Sequence, residues 1–210
     1  MKQMIDRRFY KGLRLLSALC TPFVAPFLAF VVLFFFTYLA ILPLSYRLLV
    51  LLIVYLFTIF LPAMGFHLYR RLMGWKLSAW RDRRKRLVPY AITLFCYLLC
   101  YFVMQRMSLP RYMYGIIMGV VVATALSALA NFRWKVSEHM IPLGGGTAGV
   151  VIFSFLLNYN PLVLLSVFIL LSGVVGSARI ILKHHTATEV FWGYAIGFLS
   201  LFFALGWYFW

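Results

Sequence analysis

Few side chains in this sequence can take part in catalysis, and several of them fall in two short segments. Its 210 residues include only four acidic residues and four histidines. Glu138 and His139 lie in one short segment, and His185 and Glu189 lie in another. Because histidine titrates near neutral pH, an imidazole near a carboxylate is typical of a nucleophile or a general acid–base pair. These two segments are therefore the candidate reactive part of the protein.

The later segment pairs a histidine with a carboxylate at helical spacing. His185 and Glu189 are four residues apart, which places them on one face if a helix begins near His185. The carboxylate can then accept the ring N–H, fix the tautomer and raise the nucleophilicity of the other ring nitrogen. An ordinary polar pair at the start of an interfacial helix is the alternative interpretation.

The earlier segment runs from Lys135 to His139 and combines a cation, a hydroxyl and an imidazole. Ser137 can donate to a phosphate oxygen, and His139 can protonate a leaving oxygen. The simpler alternative is that Ser137 caps a helix where a loop meets a membrane span.

A third polar stretch is strongly basic. Between residues 81 and 86 every position except Asp82 is arginine or lysine. Membrane topology and anionic lipid headgroups explain such a run without any binding site. Arg83 and Arg86 are nevertheless candidates for phosphate binding, because they lie closest to the next apolar run, in whose first turn we expect Pro89.

Together these segments resemble the type 2 phosphatidic acid phosphatase superfamily, whose motifs are Lys-x6-Arg-Pro, Pro-Ser-Gly-His and Ser-Arg-x5-His-x3-Asp. Arg179, His185 and Glu189 reproduce the spacing of the third motif, with Glu in place of Asp. Ser177-Ala178 stands where that motif has a directly adjoining serine.

The other two motifs match less closely. Ser137-Glu138-His139 resembles Ser-Gly-His, with Val136 in place of proline. In the first motif, two residues separate Arg86 from Pro89, and Lys76 lies 10 residues before Arg86. We carry over Arg86 from this motif and keep Arg83, about one helical turn away, as a second choice.

The resemblance implies a mechanism without a metal or any other cofactor. His185 would attack phosphorus to form a phosphohistidine, oriented by Glu189. His139 would protonate the departing lipid oxygen and later activate water. The substrate would be an anionic phospholipid or a polyprenyl phosphate. The phosphate oxygens would be held by Arg179, Arg86, Ser137, Arg83 and Lys135.

The elements that must position these residues are transmembrane helices. Hydrophobic residues make up 65% of the chain and charged residues only 11%, so lipid must surround most of it. We therefore predict an all-α polytopic bundle of six or seven spans. The third and fifth runs are short, and the fifth contains three consecutive glycines from Gly144, so a six-span variant with one re-entrant or heavily tilted segment is also open. The apolar runs are Thr21–Leu44, Leu48–His67, Val88–Met104, Tyr112–Asn131, Ile141–Leu157, Leu162–Leu182 and Val190–Trp210.

We treat residues 1–210 as one integral membrane domain. Residues 76–197 would form the core similar to the phosphatases, after a basic segment and two leading spans in residues 1–67. With seven spans, all but Arg47, Arg106 and Arg111 of the 20 basic residues lie on one side of the membrane. The positive-inside rule places this side, with the N-terminus and the active-site face, in the cytoplasm. We expect a bacterial inner membrane, and we read the net charge of +16 as topology, not nucleic-acid binding.

Three other interpretations remain open at this stage. A transporter or channel would also have several spans and few intramembrane charges. A phosphotransferase or an inactive lipid-binding relative would keep the fold while changing or losing the chemistry. A divalent-metal site built from His184, His185 and Glu189 is less consistent with the surrounding excess of arginine and lysine.

Overall fold

The computed structural model describes residues 21–73, 87–107 and 109–209, which form helices and no strand. A π-helical turn, Leu56–Phe60, joins the helices Leu44–Tyr55 and Leu61–Met73, and Tyr38–Ile41 forms a short 3-10 helix. The all-α prediction is confirmed for these residues. The α-helices are α1 (Ala25–Phe36), α2 (Leu44–Tyr55), α3 (Leu61–Met73), α4 (Leu87–Gln105), α5 (Arg111–Ala130), α6 (Met140–Leu157), α7 (Leu162–Ile181) and α8 (Ala187–Phe209).

Six helical stretches in the described part of the chain are long and apolar enough to cross a membrane. The first is the continuous α2–α3 rod, Leu44–Leu72, and the others are α4 to α8. Large apolar side chains such as Phe95, Leu170 and Phe203 are exposed on their outer faces, where lipid can solvate them. The protein is therefore an integral membrane helix bundle.

The run predicted as the first span divides into two pieces. Its α-helix, α1, has 12 residues and rises only about 18 Å, against about 30 Å of hydrocarbon core. Thr37 marks the break, because its hydroxyl donates to the carbonyl of Leu33 at 2.5 Å and accepts from the N–H of Leu39 at 3.3 Å. The predicted run from Thr21 to Leu44 is thus not one continuous helix.

The fifth predicted run is a regular helix of 18 residues, α6, and not a re-entrant segment. Its glycines allow close contact with α8. A Cβ atom at Gly144 would lie 2.0 Å from the carbonyl oxygen of Tyr194, and one at Gly197 would lie 1.9 Å from that of Ile141. Gly193 and Gly197 of α8 have the small-xxx-small spacing that lets membrane helices approach closely. This glycine seam aligns the N-terminal ends of α6 and α8.

Gly197→Ala should destabilise the protein by about 2 kcal/mol, because the added methyl group meets backbone and forces α6 and α8 apart. The thermal midpoint in detergent should fall accordingly. Gly206→Ala is the matched control on α8, since a Cβ atom there meets nothing within 4 Å. Equal midpoints for the two variants would show that the seam tolerates a methyl group.

Candidate active site

The N-terminal ends of α6 and α8 lie side by side and bring the two sequence segments together. The backbone N–H of Ser137 donates to the carbonyl oxygen of Glu189 at 3.2 Å. Helix α7 ends at Ile181, so the chain reverses between α7 and α8 at the same end of the bundle. The segments that contain His139 and His185 are therefore in contact at this end of the bundle.

The turn after α7 is held by hydrogen bonds to the carbonyl oxygen of Arg179. The backbone N–H groups of His184 and His185 donate to this oxygen at 3.1 and 3.3 Å. Lys183 makes the reversal with a φ of 54°, in the left-handed region. Lys135 Nζ donates to the carbonyl of His184 at 3.0 Å and fastens this turn to the segment before α6.

Glu189 is held by the start of α8 and in turn orients His185. Its Oε2 accepts from the N–H of Thr186 at 3.3 Å, while the N–H of Glu189 donates to the Thr186 hydroxyl at 3.3 Å. This reciprocal pair is a capping box, whose sequence signal is the pattern Thr-x-x-Glu from Thr186 to Glu189. The same Oε2 lies 2.9 Å from Nδ1 of His185, as the spacing of these two residues predicts.

The pairing fixes the chemistry of the His185 ring. With the Nδ1 proton directed to the carboxylate, Nε2 carries the lone pair. Only 8% of the His185 side chain is exposed. Burial lowers the pKa of His185 below its ordinary value, Lys135 and Arg179 act in the same direction, and Glu189 acts against them. The ring is therefore neutral near pH 7, which is the nucleophilic form.

Arg179 contacts the second histidine. Its Nη2 atom touches both ring nitrogens of His139, with a distance of 2.8 Å to Nε2. A guanidinium can only donate, so the ring nitrogen that accepts is unprotonated. Burial lowers the pKa of His139 to about 4, and the nearby Arg179, His185 and His184 contribute to the shift. His139 is thus neutral in the unliganded protein.

Ser137 does not cap α6. His139 occupies the N-cap position, and α6 has no side-chain cap bond. The Ser137 side chain is fully buried, and its hydroxyl has no partner among the described residues. The Nε atom of Arg179 is likewise buried without a described partner. Since an unsatisfied buried polar group costs about 1–3 kcal/mol, a ligand with oxygen acceptors would stabilise this end of the bundle.

The chain matches no family model, no curated protein and no solved structure.

Tyr90 is a site residue that the sequence did not reveal. Its hydroxyl donates to Oε1 of Glu138 at 2.6 Å and ties the first turns of α4 to the segment before α6. At the other end of α4, the hydroxyls of Tyr101 and Tyr208 lie 2.5 Å apart. Glu138 stands where the resembled motif has glycine, and its carboxylate lies within electrostatic range of Arg179. No local sequence pattern predicts the contact between Tyr90 and Glu138, which are 48 residues apart.

Arg83, Arg86 and Lys76 lie outside the described residues. Within the described ranges, no group of three or more His, Cys, Asp or Glu side chains could hold a metal ion. Two helix N-termini, those of α6 and α8, are positioned at this end, where their dipoles favour an anion. Two imidazoles, those of His185 and His139, and buried donors without a described partner thus lie at one end of the bundle, with the imidazoles close enough to interact electrostatically.

Proposed function

We propose that the protein is a metal-independent phosphatase that cleaves a phosphomonoester or pyrophosphate of a membrane lipid through a phosphohistidine on His185. The observation that carries this proposal is the juxtaposition of the His185–Glu189 pair with Arg179, His139 and the unpartnered hydroxyl of Ser137. The motif order shared with type 2 phosphatidic acid phosphatases supports the same reaction.

In the first step, Nε2 of His185 forms a bond to phosphorus as the bond from phosphorus to the lipid oxygen breaks. The departing oxygen takes a proton from His139 and leaves as the lipid alcohol, or as a lipid phosphate if the substrate is a pyrophosphate. In the second step, water loses a proton to His139 and attacks phosphorus. The P–N bond then breaks, inorganic phosphate leaves, and His185 is restored. Arg179 and Ser137 donate to the phosphate oxygens in both steps.

His139 takes up a proton from solvent when the substrate binds. Burial and neighbouring positive charge hold the pKa of His139 at about 4. A bound phosphate dianion would accept the donors of Arg179 and place negative charge beside the ring. Both changes favour the imidazolium form, so the general acid is created by substrate binding.

Phosphate release by the purified protein in detergent, with excess EDTA and no ion gradient, tests the proposal. The panel should include phosphatidic acid, phosphatidylglycerol phosphate and polyprenyl pyrophosphate. We expect turnover of at least one member, unchanged by the chelator. Activity that EDTA abolishes and a divalent ion restores would contradict the phosphohistidine mechanism and favour a metal site.

The pKa of His185 should respond oppositely to its two charged neighbours. Lys135→Met should raise it, because a cation that disfavours the imidazolium is removed, and Glu189→Gln should lower it. Since neutral His185 is the reactive form, the acid limb of kcat/KM should lie below pH 6.5 and move in the same directions. NMR titration of histidine-labelled protein without substrate measures the shifts directly, with His184→Ala assigning the neighbouring signal. Shifts of the same sign would overturn this electrostatic account.

We also propose that the site faces the cytoplasm of a bacterial inner membrane, because the predicted topology puts most arginine and lysine residues on the same side as the site. Thr188 is exposed beside Glu189 and can carry a probe. In a protein without native cysteines, Thr188→Cys should resist an impermeant thiol reagent in intact cells and react in inverted vesicles. Labelling in intact cells would reverse the orientation.

A further inference from the structure

A cleft of about 370 Å³ lies between α7 and α8, directly beside the candidate active site. Its floor near the site is Met140, the residue after His139. The wall from α8 has the spacing of one helix face, positions i, i+3, i+4 and i+7. Six residues form the two helical walls: Ile169 and Ser172 of α7, and Ala187, Val190, Phe191 and Tyr194 of α8.

Small residues keep this space open. Residues 182–186 join α7 to α8, yet α7 packs mainly against α6. Gly173 lies on the same face of α7 as Ile169 and Ser172, and a Cβ atom there would meet nothing within 4 Å. At Gly176 a side chain of α8 comes close, with Val190 at 3.1 Å from the ideal Cβ position. A larger residue at Gly173 would therefore project into open space between the helices.

The cleft runs from the polar site into the apolar part of the bundle. Ala187 and Val190 line the end of the cleft near Glu189. Tyr194 follows Ala187 by seven residues in α8 and therefore lies about 10 Å further along the helix. The Ser172 hydroxyl donates to the carbonyl of Phe168 at 2.7 Å, so it needs no partner in the cleft. Neighbouring α7 residues such as Val174 are exposed on the lipid-facing side. Because Ile169 and Phe191 on its walls are 54% and 64% exposed, the cleft is an apolar slot that opens to the surrounding lipid, within the depth of one leaflet.

We propose that this cleft holds the first part of a single hydrocarbon chain, carried by the same molecule whose phosphate occupies the site at Arg179 and His185. The inference rests on the proposed function and extends it to a class of substrate. The adjoining site, with the Arg179 guanidinium, suits a phosphate. The apolar walls of the cleft suit an alkyl or prenyl chain joined directly to the phosphate oxygen. A volume near the lower limit of ligand pockets fits one chain, and any second chain stays in the bilayer.

Binding of n-alkyl phosphonates, from methyl to octyl, tests the cleft without requiring turnover. Calorimetry in one fixed detergent gives the affinity for each chain length. Each methylene that moves from water into the cleft should raise affinity up to about 4-fold, and detergent reduces this gain. For the wild-type protein we expect octyl phosphonate to bind about tenfold tighter than methyl phosphonate, or better.

Gly173→Phe should remove most of this chain-length gain, because the ring occupies the slot. The matched control is Gly206→Phe, which adds the same ring to α8 at another glycine whose Cβ would meet nothing within 4 Å. It should retain the wild-type ratio of octyl to methyl affinity. Tyr194→Ala should have the opposite effect on chain-length dependence. Loss of the ring deepens the slot, so affinity should stop rising only at a longer chain. Thermal midpoints verify that each variant is folded.

The outcomes separate this inference from the function on which it rests. An equal chain-length gain in wild type and Gly173→Phe would overturn the cleft as the chain site. Phosphate release by the wild type without any chain-length gain would also overturn it, and would leave the phosphatase standing. A gain that Gly173→Phe removes, in a protein that releases no phosphate from octyl phosphate, would support the cleft and refute the phosphatase. Failure to bind any phosphonate would refute both.

Discussion

His185→Ala should lower kcat for a lipid phosphate by about 10⁴-fold or more, because the variant lacks the nucleophile of the proposed covalent intermediate. The carboxylate of Glu189 and the surrounding burial leave Nε2 of this ring unprotonated, ready to attack. Phosphoenzyme trapped by acid quench after brief exposure to ³²P-labelled substrate should also disappear in the variant. Stability should change little, since capping by Thr186 and Glu189 does not involve the imidazole.

His184→Ala is the matched control for this substitution. His184 adjoins His185 but is exposed, and it meets Lys135 only through its backbone carbonyl, which alanine retains. We expect a loss of less than about tenfold. Glu189→Gln should fall between the two, because it keeps the shape but loses the charge that orients the ring. Equal activity of His184→Ala and His185→Ala would sink the nucleophile assignment.

Several polar side chains within the spans form hydrogen bonds to their own helices. Thr93, Ser127 and Thr147 are buried, and each donates to a carbonyl one turn earlier in its own helix. These three hydroxyls are satisfied locally. The hydroxyls of Thr58 and Ser200 are buried within spans without a partner among the described residues. The ionisable groups of the candidate site lie instead at the ends of α6, α7 and α8, where a headgroup at the membrane surface can reach them.

The sequence predicted those features that depend on short-range patterns. From residue 87 onward, long apolar runs bounded by polar residues located the helices closely, because lipid requires about 20 apolar residues per span. The contact between His185 and Glu189 followed from helical spacing. The break at Thr37 was missed because the run from Thr21 to Leu44 is continuously apolar, and hydropathy does not register a hydroxyl bonding to its own backbone.

Long-range contacts account for what the sequence could not predict. Arg179 and His139 are 40 residues apart, and Tyr90 and Glu138 are 48 apart, so only the packing of the helices brings each pair together. The three consecutive glycines after Leu143 suggested an irregular segment. Their role instead depends on neighbouring helices, such as the backbone of α8 at Tyr194, which no local pattern records.

His139→Ala should slow hydrolysis of an alkyl or lipid phosphate by about 10²–10⁴-fold and that of an aryl phosphate by less than about tenfold. An alkoxide is a poor leaving group and needs the proton of His139, whereas a phenolate with electron-withdrawing groups departs without it. The measurement is the ratio of kcat values for the two substrates in each protein. A large change in this ratio distinguishes a proton donor from a residue that only maintains the fold.

His139→Gln separates proton donation from the positioning of Arg179. In the unliganded site the guanidinium donates to the His139 ring, so alanine also removes an acceptor that holds Arg179 in place. Glutamine offers an amide oxygen to Arg179 but cannot donate a proton to a leaving alkoxide. If His139 is the general acid, the glutamine variant should remain as slow as the alanine variant on alkyl phosphates and near wild type on aryl phosphates. Recovery of alkyl phosphatase activity with glutamine would show that His139 acts only by positioning Arg179.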